Sequence, residues 1–307
     1  MIKFRDIKQL CDDISVYEIY EKMSMRLIEG APESQILADI HNCRFAWKDL
    51  RRFTSECNKT LYIRFRNMTY KFYYQDVIKV PFSRVLQMIK YTLIICHYFK
   101  MYHSFNFHIF LYDKKRKLSN GIVSPENING GYTYTSGNNI FILRQEEFIK
   151  TIIHEILHHC PIIHNETFTS DDLNRLRETF QISAATNLAP NEAIVELWAT
   201  VLFCMLMSCD TNISWKILYN IEVQHSIVQS NKLLNKHKQM KKWYETTNSY
   251  CYIVFKTILL LNYDKLMKRY TFPYNSRYIT DFLIQNKTIP FVKVDKNTSL
   301  RMMKLSN

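Results

Sequence analysis

Thr151-Ile152-Ile153-His154-Glu155-Ile156-Leu157-His158-His159-Cys160 sets two histidines four residues apart, with a glutamate directly after the first. On an α-helix a four-residue step turns the side chain by about 40° and raises it about 6 Å, so both imidazoles reach one metal ion. Glu155 lies about 100° round the helix from His154, beside such a metal rather than on it. Ile152, Ile153, Ile156 and Leu157 make the helix apolar, and histidines and a glutamate placed among them need a partner. A metal ion is the simplest one.

Upstream, Tyr132-Thr133-Tyr134-Thr135 and Asn139-Ile140-Phe141-Ile142-Leu143 are joined through Ser136-Gly137-Asn138 and read as a hairpin opened by Gly130-Gly131. Gln145, Glu146 and Glu147 then place acceptors and negative charge in the expected first turn of the motif helix. Phe105 to Asp113 has strand composition, and Phe82 to His103 is apolar on most sides, as a helix behind a sheet is. Earlier still, one helix is expected from Val16 to Glu29, a second from Ser34 past Trp47, and a hairpin over Leu61 to Tyr74.

Downstream, Pro161 stops or bends the motif helix. Asp171 to Glu178 reads as a short helix, and Asn191-Glu192-Ala193-Ile194-Val195-Glu196 opens a long apolar one. Further helices fall around 213–228 and 250–266, and the Tyr- and Arg-rich stretch 269–278 leads into a last short one. These elements predict a mainly helical α+β fold. The expected parts are a helical N-terminal region with a hairpin over 1–80, a catalytic core over 81–205, and a helical C-terminal lobe over 206–307 that completes a cleft.

A catalytic zinc needs a third protein ligand and one open position. Glu192 and Glu196 stand four apart on one face of an otherwise apolar helix. One suits the metal, and the other suits the free N–H of a ligating histidine. Buried side by side without a metal, the two carboxylates repel each other.

With these residues the chain resembles the zincin metallopeptidases, and within them the gluzincin branch. There His-Glu-x-x-His is followed by a helix with a ligating glutamate, often written Asn-Glu, and an acidic residue four positions on. The resemblance covers roughly residues 82–205. It implies a zincin-like core, that is, a small mixed sheet with an edge strand, a backing helix and an active-site helix. It also implies one Zn²⁺ held by His154, His158 and Glu192, with Glu155 as general base and Glu196 supporting a ligand; Glu196 in place of Glu192 is the alternative third ligand. An edge strand for substrate is implied at Tyr132, Thr133, Tyr134, Asn139, Ile140 and Phe141. An oxyanion-stabilising group is expected from His225, Tyr274, Arg277 or Tyr278, and spacing does not choose among them. The interval from His158 to Glu192 is longer than in thermolysin-like bacterial enzymes, and no third histidine follows in the metzincin pattern. The implied function is zinc-dependent hydrolysis of peptide bonds. The rival readings are a catalytically inactive zincin-fold binding protein and a basic nucleic-acid-binding protein.

Composition bounds these readings. With 47% hydrophobic and 22% charged residues over 307 positions the chain folds, and five glycines and seven prolines favour long helices over an all-β fold. The net charge of +13 suits anionic partners, so a polypeptide substrate with acidic character fits. Basic runs occur at Lys114–Lys117 and Lys236–Lys242, but no nucleic-acid motif accompanies them. Eight dispersed cysteines without a Cys-x-x-Cys pair read as buried thiols. The first residues lack the apolar core of a signal peptide. No transmembrane segment is expected, since the longest apolar run, Leu197 to Cys209, is about 13 residues against the 18–20 that a span needs. An intracellular, cytoplasmic location is the expectation, in a host's cytoplasm if the gene is viral.

Overall fold

In the computed structural model, which describes residues 2–76, 81–164, 167–294 and 298–305, the chain forms two compact units. One holds Lys3–Lys115 and Asn129–Ile156; the other holds Ile2, Arg116–Ile128 and the chain from Leu157 onward. The boundaries expected at 80 and 205 mark neither unit. Strands from both sides of residue 80 share one sheet, and residue 205 lies inside a helix.

The first unit begins with α1 (Phe4–Asp13), α2 (Val16–Lys22), β1 (Ser24–Glu29), α3 (Ser34–Asn42) and α4 (Lys48–Glu56). Then come β2 (Lys59–Phe65), β3 (Met68–Tyr74), α5 (Phe82–Tyr98) and β4 (Phe105–Phe110). After α6 (Pro125–Ile128), a single turn of the second unit, follow β5 (Gly131–Thr133), β6 (Asn139–Ile142) and α7 (Phe148–His158), whose last two residues are counted with the second unit. The strands form one sheet in the order β1-β2-β3-β4-β6-β5. β3–β4 and β4–β6 are parallel and the other pairs antiparallel.

Two sequence expectations change here. The helix over Val16–Glu29 stops at Lys22, because Met23, Met25 and Leu27 recur every second residue and Ser24–Glu29 pairs residue by residue with β2. The helix from Ser34 breaks after Asn42, where an extended Cys43 turns Cys43, Ala46 and Trp47 into the core.

Period-two alternation sorts the sheet's side chains. Tyr73, Phe110, Tyr132 and Phe141 pack beneath α3 and α4 with Ile36, Ile40, Trp47 and Leu50. On the other face Tyr70 stacks on Phe107 at 4.7 Å, and its hydroxyl meets Thr92 of α5. α7 lies on that face too, with Arg84 of α5 over Phe148 and Thr151 against β5. The apolar helix expected behind the sheet is therefore α5, and α1 and α2 pack on it.

His108 of β4 is buried between Tyr73 and Phe141, with Nδ1 3.0 Å from the Tyr73 hydroxyl, which donates in turn to Glu33. Burial, with Lys71 nearby, lowers its pKa from 6.5 to about 4. The unfolded chain therefore binds a proton near pH 6.5 that the folded chain refuses until about 4, so stability is lost as pH falls through that window. A full shift of this size is worth about 3 kcal/mol at most. Thermal melts between pH 7.5 and 4.5 should show this loss, and His108→Gln should reduce its slope.

The second unit contains α8 (Pro161–His164), α9 (Ser170–Thr179), α10 (Asn191–Thr211) and α11 (Trp215–His237). A π-helical segment, Tyr250–Phe255, runs into α12 (Lys256–Leu261), followed by α13 (Tyr263–Met267) and α14 (Ser276–Gln285). α9 starts on a capping box between Thr169 and Asp172. α10 is the unit's central helix, packed by α8, α11, α12 and the π-helical segment. It is long and apolar enough to cross a membrane, but 83% of its most apolar stretch is buried inside the protein, as in a core helix. The C-terminal segment is laced to α11: the Glu222 carboxylate accepts from the backbone N–H of Lys304 and Leu305, and Lys232 donates to the Ser299 carbonyl. No disulfide joins any of the eight cysteines, and all but Cys209 are buried.

Candidate metal centre

α7 is launched from Glu147, whose φ of +62° ends a turn, so Gln145–Glu147 precede the helix instead of forming its first turn. The Glu147 carbonyl accepts from both the N–H and the hydroxyl of Thr151. From there the helix runs unbroken to His158, and Pro161 starts the next turn.

At its last turn, His158 Nε2 stands 3.4 Å from Glu192 Oε2. That separation exceeds the ordinary N–H···O range of about 2.7–3.2 Å. It matches the roughly 3.3 Å between two donors that share a tetrahedral metal with bonds of about 2.0–2.1 Å. His154 sits one helical turn earlier, and one donor atom from each of His154, His158 and Glu192 lies within 4.8 Å of the others. Among the described residues, no other group of three His, Cys, Asp or Glu side chains is so placed. Two imidazoles and one carboxylate fit a borderline-soft divalent ion and leave room for a further ligand.

Glu192 owes its place to the start of α10. Pro190 precedes the helix, the Glu192 N–H donates to Ala189 and that of Ala193 to Pro190, and the helix dipole favours a carboxylate in this first turn. Glu196, one turn on, is 1% exposed, and the three clustered donors come from His154, His158 and Glu192 without it. Cys251, one of the eight cysteines, lies near this helix start, and no local pattern places it there. Its sulfur, from the π-helical segment, accepts from the Ala189 backbone N–H and lies within electrostatic reach of Glu192. Burial holds its pKa well above the usual thiol value.

Glu155 is 5% exposed and turned toward β5. A Cβ at Gly131 would lie 2.7 Å from the Phe141 carbonyl, 3.0 Å from Thr151 Cγ2 and 3.1 Å from Glu155 Oε1, so only glycine fits there. From sequence Gly130-Gly131 reads only as the opening of the hairpin; the structure adds this close approach at Gly131.

The expected substrate strand needs correction. β6 is hydrogen-bonded to β4 on one side and to β5 on the other, which commits the backbones of Asn139, Ile140 and Phe141. β5 is the terminal strand, so Tyr132 and Thr133 lie at an edge, while Tyr134 falls in the turn, where its carbonyl accepts from Gly137. The Leu143 N–H to Gly130 carbonyl bond fixes the alternation: Tyr132 is turned toward β6, and Gly131 and Thr133 direct N–H and C=O away from it.

Three of the four oxyanion candidates have partners elsewhere. His225 Nε2 is 2.8 Å from the Arg301 carbonyl, Arg277 is paired with Asp171 and Asp172, and Tyr278 donates to the Leu266 carbonyl. Tyr274 is buried in an aromatic cluster with Phe168 and Tyr270. Comparison of the chain with models of known protein families, with curated proteins and with solved structures finds no match in any of the three.

Proposed function

We propose that the chain is a zinc-dependent peptidase of the gluzincin kind. The observation that carries this reading is the 3.4 Å spacing of His158 and Glu192 beside His154, with Glu155 next in sequence to a ligand and placed against a strand edge. When bound, zinc lowers the pKa of a coordinated water and polarises the scissile carbonyl. Glu155 takes the attacking water's proton and passes it to the leaving amine. The substrate lies extended along β5, hydrogen-bonded to the outward N–H and C=O groups of Gly131 and Thr133. Glu196 supports a ligating histidine. The net charge of +13 favours acidic substrates.

The test is direct. Purified protein should carry about one zinc per chain and degrade a denatured protein mixture; a chelator should abolish both, and zinc should restore both. Cleavage that persists without metal would overturn the reading. A chain that holds zinc yet cleaves nothing would instead be a binding module on the same scaffold.

A further inference from the structure

The sheet has a second edge, at β1, and none of its residues is covered. All six residues of Ser24–Glu29 are exposed, including Met25 at 53% and Leu27 at 58%. Hydrogen-bond phase can be read from two ends. The two-residue turn between Phe65 and Met68 directs the odd-numbered residues of β2 to β3 and the even-numbered ones to β1, and the Gly30 N–H bond to the Asn58 carbonyl agrees. Ser24, Arg26 and Ile28 therefore bond to β2, whereas Met25, Leu27 and Glu29 direct their N–H and C=O outward. Among the described residues nothing pairs with them. β1 carries neither a proline nor a bulge to blunt this edge.

Charge then selects the occupant. Ser24, Met25, Arg26, Tyr62 and Arg64 line a shallow recess of about 390 Å³ at this edge. By register, Ser24, Arg26, Tyr62 and Arg64 share one face, and the Arg26 guanidinium lies 4.6 Å over the Tyr62 ring. Neither arginine forms an ion pair among the described residues. A second copy of the chain fits poorly, since each carries +13 and would bring its own Arg26 to the seam.

We infer that β1 is a docking edge for an extended acidic segment of another polypeptide, which adds as a seventh strand. Acidic side chains on alternate residues would meet Arg26 and Arg64, and the apolar residues between them would cover Met25 and Leu27. This site is separate from the metal centre and does not depend on it.

The probe is a fluorescein-labelled peptide of about ten residues in which valine alternates with glutamate, titrated by anisotropy with chelator present so that it stays intact. It should bind, while the same peptide with lysine for glutamate should not. Leu27→Pro removes one outward N–H without touching a β1–β2 bond, and should abolish binding with the melting temperature nearly unchanged. Arg26→Glu with Arg64→Glu should weaken the acidic peptide about tenfold or more and favour the lysine peptide. That charge reversal decides the matter if the proline variant does not fold. Affinity unmoved by the charge reversal would overturn the inference, as would peptide binding indifferent to Leu27→Pro in a folded variant. Failure to bind the peptide would also overturn it, whether accompanied by binding to anionic vesicles or by a dimer that Leu27→Pro dissociates.

Discussion

Glu155→Gln should leave zinc content unchanged and lower kcat by a factor of about 10²–10⁴, the span general-base catalysis usually supplies. The substitution keeps the shape of a side chain that is 5% exposed and wedged near Gly131, so packing changes little. What disappears is the carboxylate that, in the proposed mechanism, would accept the water's proton. Because the backbone edge of β5 is untouched, KM should stay near its original value and the loss should appear in kcat. Metal analysis beside steady-state kinetics on one peptide substrate checks both halves. A Glu155→Gln variant with ordinary turnover would remove Glu155 from the chemistry.

Glu192→Ala is expected to have the larger effect on metal binding. Glu192 is one of only three protein donors in the group, so the remaining pair of imidazoles should hold zinc far more weakly. Glu196→Ala, one turn further along α10, removes a supporting group and should cost about 10–100-fold in affinity. Competition against a chromophoric chelator ranks the two variants. If Glu196→Ala released the metal and Glu192→Ala kept it, the ligand assignment would be reversed.

The parts of the fold and site set by short-range periodicity could be read from sequence. Four-residue spacing on α7 and α10 put His154, His158, Glu192 and Glu196 on defined helix faces, and the hairpins over Leu61–Tyr74 and Tyr132–Leu143 followed from alternation and turn residues. β1 is not legible as a strand because Ile19, Met23, Met25 and Leu27 satisfy a helical rhythm in part, and the edge offered by β2 decides the outcome. The strand expected to take substrate extends too far because alternation does not say which strand of a hairpin is inner; only the pairing of β6 with β4 does. Cys251 against Ala189, and Glu222 holding Lys304 and Leu305, join positions dozens of residues apart and leave no local pattern.

The tight fit at Gly131 also limits how this protein can diversify. Any side chain there would strike the Phe141 carbonyl of the neighbouring strand and the carboxylate of Glu155 together, so a change at this position disturbs the sheet and the proposed general base at once. A saturation library at residue 131 should return glycine alone. New substrate preferences would then have to arise from Tyr132, Thr133 and the turn beyond them, where variation leaves Glu155 in place.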